Sequence, residues 1–178
     1  TVMLGQISVE IYTNGSFLID LGFPHNGDFS KSFGLEYGIF TGRGGVYFGV
    51  LEGDAVKQVP ETKNGAFTPV VLLGIGLCIG VGHSFDLGVV KGGVSLTVTG
   101  ILEGAFAVFH PSDASQKEAV YYRVSAAAGI RGTLFLSVDF KIISISAAAE
   151  ISAVCSFCME SYRQSVLRVS LYLRLAAS

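Results

Sequence analysis

The sequence predicts an all-β fold of long, mainly antiparallel amphipathic strands, closing into a curved sheet, a sandwich or a barrel. Three observations carry this expectation. Apolar residues recur at every second position over most of the chain, the period of a strand with two unlike faces. The intervening positions are filled largely by Gly, Ala, Ser and Thr rather than by charges. The connections are short and marked by Gly, Pro, Asn and Asp. No Pro- or Ser-rich linker divides the chain, so residues 1–178 read as a single β domain.

The first alternating run is Ile7, Val9 and Ile11, and the second is Phe17, Ile19, Leu21 and Phe23. A two-residue Asn14-Gly15 turn would put the two apolar sets on opposite faces. A three-residue loop, Thr13-Asn14-Gly15, pairs Ile11 with Phe17, Val9 with Ile19 and Ile7 with Leu21. Register follows the buried face, so the three-residue loop is expected, with Gly15 left-handed. Pro24–Lys31 reads as a loop, and Thr41–Gly45 as a tight glycine turn.

Residues 64–85 contain no Asp, Glu, Lys or Arg and are long enough to be tested as a membrane helix. The pattern argues for a strand. Leu73, Ile75, Leu77, Ile79 and Val81 alternate with Gly74, Gly76, Cys78, Gly80 and Gly82. Each glycine would cost a helix roughly 1 kcal/mol relative to Ala. The loop from Asp54 to Gly65 precedes this run, and Val81–Gly88 reads as a turn after it.

Val94, Leu96, Val98, Leu102, Phe106 and Val108 then share one parity, against Ser95, Thr97, Thr99, Glu103, Ala105 and Ala107. His110–Glu118 is the next connection. Leu134 to Ile142 is apolar at even positions and Ile143 to Met159 at odd ones. A bulge or corner at Ile142-Ile143 would keep both halves facing one core. The alanine runs 126–128 and 147–149 have helix propensity, but alternation continues through the second, so they are expected as neighbouring strands. Glu160–Gln164 reads as a turn before Leu167, Val169, Leu171, Leu173 and Leu175. Because this last run still looks like a strand interior, and the chain starts at Thr1, a module of a larger chain is expected. No signal identifies a compartment.

Composition excludes several function classes. Half the residues are hydrophobic, which is too apolar for a disordered chain. A net charge of -2 lacks the basic excess of an electrostatic nucleic-acid binder. Three cysteines do not read as a disulfide framework.

Chemical motifs are weak. His25, His83 and His110 lie far apart, without the paired spacings of a zinc site. In a strand, the sulfurs of Cys155 and Cys158 point to opposite faces. Gly74–Gly80 does not open an amphipathic helix, as a dinucleotide-binding loop must. Gly42–Gly45 is better read as a turn than as an anion cradle. Arg168 and Arg174 share a face with Tyr172, either solvated or set against an acidic partner surface. No catalytic, cofactor or metal residues are assigned.

The two faces carry the functional reading. The bulky apolar face must be covered by a second layer or across a barrel. The small-residue face has too few charges for an ordinary wet face. The leading expectation is a non-enzymatic structural or assembly module acting through extended β-sheet surfaces, by self-association or by docking to other domains. On association Gly74, Gly76, Gly80 and the Ser95/Thr97/Thr99 face would lose solvent. The first alternative is a carrier of lipid or another apolar ligand. The second is a membrane β-barrel or pore component, with bulky residues towards lipid and small ones inside. The linear sequence shows no aromatic girdle at both ends of each run.

Overall fold

The computed structural model describes residues 1–53 and 56–178. It is all-β, a single curved antiparallel sheet of ten strands that is not closed. The strands are β1 (Val2–Met3), β2 (Ile7–Ile11), β3 (Phe17–Leu21), β4 (Phe33–Tyr37) and β5 (Phe40–Leu51). After them come β6 (Gly65–Asp86), β7 (Val90–Pro111), β8 (Ala119–Phe140), β9 (Ile143–Glu160) and β10 (Val166–Ala177).

Ten strands occupy eight positions. β3 and β4 both pair with the same edge of β5, against Val46–Val50 and Phe40–Gly44 respectively. They form one long strand interrupted by Gly22–Ser32. Outside them, β1 pairs with β4 and β2 with β3, so these two also share a position. From β5 to β10 each strand pairs with the next. The result is an up-and-down meander in which every neighbour is antiparallel.

The β2–β3 hairpin has the expected register: Ile11 faces Phe17, Val9 faces Ile19 and Ile7 faces Leu21. Gly15 adopts a φ of 86°, and the Tyr12 N–H donates to the Ser16 carbonyl. Residues 65–86 are a strand throughout. The alanine runs lie in neighbouring strands β8 and β9.

Four turn assignments are corrected. Thr41–Gly45 is not a turn but part of the first half of β5. The chain reverses earlier, at Gly38-Ile39, where Gly38 has a φ of 60°. Of the glycines that follow, Gly42 has open space around it, whereas Gly45 is needed for close approach. A Cβ on Gly45 would overlap the Gly22 carbonyl, where the interruption lifts off the sheet. β6 runs to Asp86, and the turn after it is confined to Leu87–Val89, with Gly88 at a φ of 79°. At Ile142-Ile143 there is no bulge. Lys141-Ile142 is a two-residue turn, and Phe140 pairs with Ile143 across it. A two-residue hairpin flips sequence parity while keeping both strands' apolar sets on one face, which produces the observed pattern. Finally, β7 continues through His110 and Pro111, so the following connection starts at Ser112. The expected loop Asp54–Gly65 is seen as a connection from Val56 onward; Asp54 and Ala55 lie outside the described residues.

The interruption Gly22–Ser32 forms two short 3-10 turns, His25–Gly27 and Phe29–Lys31. Asp28 caps the second by accepting from the Ser30 N–H at 2.8 Å. Its segment folds over one face of the sheet. Phe23 packs on Tyr47 with ring centroids 4.6 Å apart, and Pro24 sits over Gly76. On the same face Val56 and Val59 cover Val70, Leu72, Ala105, Ala107 and Tyr121. This small core holds the interruption and the 56–64 connection against β5–β8.

Candidate functional site

Residues directly opposite one another across paired strands share a face. Tracing the register from β2 to β10 therefore assigns every strand residue. One face carries Tyr47, Gly74, Glu103 and Ser125 in one row, and Gly80, Thr97, Arg131 and Ser152 in another. The opposite face carries Val46, Ile75, Leu102, Ala126, Phe157 and Leu167 in a single row.

Every Asp, Glu, Lys and Arg within a strand falls on the first face, from Glu10 in β2 to Arg174 in β10. These groups find partners there. Arg131 Nε lies 2.9 Å from Glu150 Oε1, and Lys91 Nζ lies 2.9 Å from Asp86. The Tyr121 hydroxyl donates to Glu160 at 2.6 Å, and the Tyr47 hydroxyl to Glu103 at 3.2 Å. His25 Nε2 is 2.5 Å from Asp20 Oδ2, and its ring stacks on Tyr47. Ser95 and Thr133 share a hydroxyl hydrogen bond.

The sheet curls around this face. A hollow of about 470 Å³ is lined by Ile101, Glu103, Arg123 and Ser125 from β7 and β8, by Ser156 and Cys158 from β9, and by Val166 and Arg168 from β10. Pro24, Asn26 and Gly27 from the interruption line it too. Gly, Ala, Ser and Thr on the inside of the curve leave room for the strands to bend towards one another.

The outer face is different in kind. Among the described residues it holds no charge, and its polar side chains are confined to a few such as His83 and Tyr122. It is also open. Ile79 is 65% exposed, Leu77 55%, Val94 56%, Leu134 56% and Leu171 81%. The expectation that the bulky face is buried under a second layer is therefore overturned within this chain. The interruption and the 56–64 connection both fold onto the small-residue face instead. Gly74 and Gly76 are indeed covered, but by Tyr47, Phe23 and Pro24 of the same chain rather than by association.

Register also reveals an aromatic pattern that the linear sequence hides. Phe17, Val50, Val71, Phe106 and Tyr122 form one row of the outer face, with Phe48 in the next. Ten residues further along β6, Tyr37 and Phe40 sit in the row of Val81, and Phe85 lies four residues beyond. Between these bands the outer face is mostly Val, Ile, Leu, Ala and Gly, with Phe33, Cys155, Phe157 and Met159 the exceptions. Ten residues at about 3.3 Å span ~33 Å along a strand, which at a tilt near 45° is ~23 Å of height.

The residues singled out by sequence for chemistry are dispersed. His25 pairs with Asp20, His110 with Glu118, and His83 lies alone on the outer face. Cys155 lies on the outer face and Cys158 on the inner one, as strand geometry requires. Gly74–Gly80 lies inside β6 and opens no helix, and Gly42–Gly45 lies inside β5. Beside these, Glu150 is paired with Arg131, and Asp139 accepts from the Ser144 hydroxyl. Arg168, Tyr172 and Arg174 do share the inner face of β10. Among the described residues no set of three or more His, Cys, Asp or Glu side chains is gathered as a metal site. No helix among them is long and apolar enough to cross a membrane, a statement that does not bear on strands.

Comparison of the chain with protein-family models, with curated proteins and with solved structures finds no match.

Proposed function

We propose that this sheet is a wall of a membrane β-structure, a barrel or pore component with its outer face against lipid and its small-residue face turned inward. The observation that carries the reading is the complete segregation of charge. Every ionisable strand residue other than His83, His110 and the tyrosines and cysteines lies inside the curl, and an uncharged, exposed apolar face spans all eight strand positions. Eight positions at about 4.8 Å make this face roughly 38 Å wide. The largest apolar patch on a typical soluble monomer is only about 300–600 Å². Over a strand length of ~33 Å the face here is on the order of 1,200 Å².

Lipid suits this face better than a protein partner does. Protein interfaces mix an apolar centre with a polar rim and direct hydrogen bonds. Here aromatic residues flank the apolar band on β3–β8 at one end and on β4–β6 at the other, and the band between has the height of an outer-membrane-type apolar belt, about 25 Å. The paired backbone of the meander leaves unbonded strand edges only at its two ends, which is what a hydrocarbon environment demands of a sheet. An inward face of Gly, Ala, Ser and Thr bearing ion pairs also fits a polar interior better than it fits an apolar cargo.

Size-exclusion chromatography with light scattering tests the reading. Detergent-solubilised protein is expected to run as a discrete protein–detergent particle, and removal of detergent is expected to aggregate it. A monodisperse species in detergent-free buffer would overturn the proposal and return the assembly module to first place.

A further inference from the structure

The two outer edges of the sheet are both unpaired among the described residues. β10 pairs with β9 through all twelve of its residues and is exposed along its whole length. It carries no Pro or bulge to blunt its free edge, and its two charges, Arg168 and Arg174, are on the inner face. At the other end β2 is likewise exposed beyond its pairing with β3.

We propose that these edges pair with each other in the same chain, β10 against β2, closing an eight-stranded barrel. This rests on the membrane reading above and names the partner of its open edge. Four observations lead to it. First and eighth positions of an up-and-down meander run antiparallel, so the two edges have compatible directions. Their faces match: Ile7, Val9 and Ile11 look outward on β2, as do Leu167, Val169, Leu171, Leu173 and Leu175 on β10. The sheet already curls so far that Asn26, beside β3, and Arg168 of β10 line one hollow. The fourth is charge. β10 has Arg168 and Arg174 and no acid, while β2 has Glu10 and no base.

Barrel geometry then predicts the register. A strand tilt near 40° around a ~38 Å circumference offsets the closing pair by about ten residues. Glu10 is level with Leu72 of β6, and Arg174 is level with Gly82, ten residues along. The offset therefore brings Glu10 opposite Arg174 inside the barrel. The opposite offset would carry β2 past the start of β10. Pairing β10 with the β10 of a second copy, centred on Leu171, would set Arg168 against Arg174 and repel.

Cysteine cross-linking of the full chain tests this. Cys78, Cys155 and Cys158 are first changed to Ala, and Glu10→Cys is combined in turn with Arg174→Cys, Tyr172→Cys and Arg168→Cys. Each variant is oxidised in detergent micelles after its β circular-dichroism spectrum is verified. The expected product is a reducible, internally linked monomer, strongest for the Arg174 partner. Its yield should be on the order of tenfold above that of a Glu10→Cys/Ser152→Cys control, since the linked groups are held at high effective concentration. Cross-linked dimers or ladders would overturn closure in favour of head-to-tail copies. So would no monomeric link at any of the three positions. The membrane reading fails separately, through the solubility measurement, and either can stand without the other.

Discussion

Replacing Ile75 by Arg is expected to prevent the chain from inserting into lipid vesicles while leaving its strands able to form. Ile75 lies in the middle of the outer face, in the row of Val46, Leu102 and Ala126, and is 41% exposed. An Arg at the midplane of a membrane barrel costs about 2–4 kcal/mol. That is a thirtyfold or larger loss in the inserted fraction, at about 1.4 kcal/mol per factor of ten. Thr97→Arg provides the comparison. Thr97 lies on the inner face between Gly80 and Arg131, where a long polar side chain meets other polar groups. Flotation of vesicles after refolding reads both variants. Equal loss for Thr97→Arg and Ile75→Arg, or no loss for Ile75→Arg, would remove the distinction between the two faces.

The second large effect is expected at Gly45. This residue has no room for a side chain, because its Cβ would overlap the Gly22 carbonyl carbon and oxygen and crowd the Phe23 nitrogen. The obstacle is backbone, so it cannot yield by a rotamer change. Gly45→Val forces the interruption off the sheet and takes Phe23 and Pro24 with it. Overpacking alone costs about 1–3 kcal/mol, and exposing a buried Phe adds about 2 kcal/mol. A loss of at least ~3 kcal/mol in denaturant unfolding is expected. Gly100→Ala is the control, since nothing lies within 4 Å of the added Cβ on the outer face. It should be neutral or slightly stabilising, because Ala costs a strand less entropy than Gly. Comparable destabilisation by the two variants would mean that Gly22–Ser32 is not seated as described.

The strands were legible because a period of two survives any choice of tertiary contacts. The Ile11–Phe17 register could be read for a further reason: only a three-residue loop with a left-handed Gly15 keeps Val9 and Ile19 on one face. Turns without the usual residues were not legible. Lys141-Ile142 has no Asn-Gly signature, and its hairpin looked like a bulge because both events flip parity. Gly42–Gly45 misled in the opposite direction. Its Gly45 answers the passage of Gly22, a residue brought there by an excursion that local sequence does not reveal.

The faces were visible in the sequence but their orientation was not. Alternation of Leu73 and Gly74 says that the sheet has two unlike sides, and it does not say which one the chain covers. That depended on where residues 22–32 and 56–64 fold. The aromatic bands were hidden for the same reason. Phe17, Phe106 and Tyr122 are far apart in sequence, and only the register of four strand pairings brings them into one row.

The outer face is expected to meet lipid and the inner face is not. Quenching by brominated lipids tests this most directly. Single cysteines replacing Leu77 and Thr97, each in a chain otherwise free of cysteine, are labelled with a small fluorophore and reconstituted into vesicles with bromines at mid-chain depth. Strong quenching is expected at position 77 and little at position 97. Equal quenching at both positions, or none at 77, would contradict this expectation.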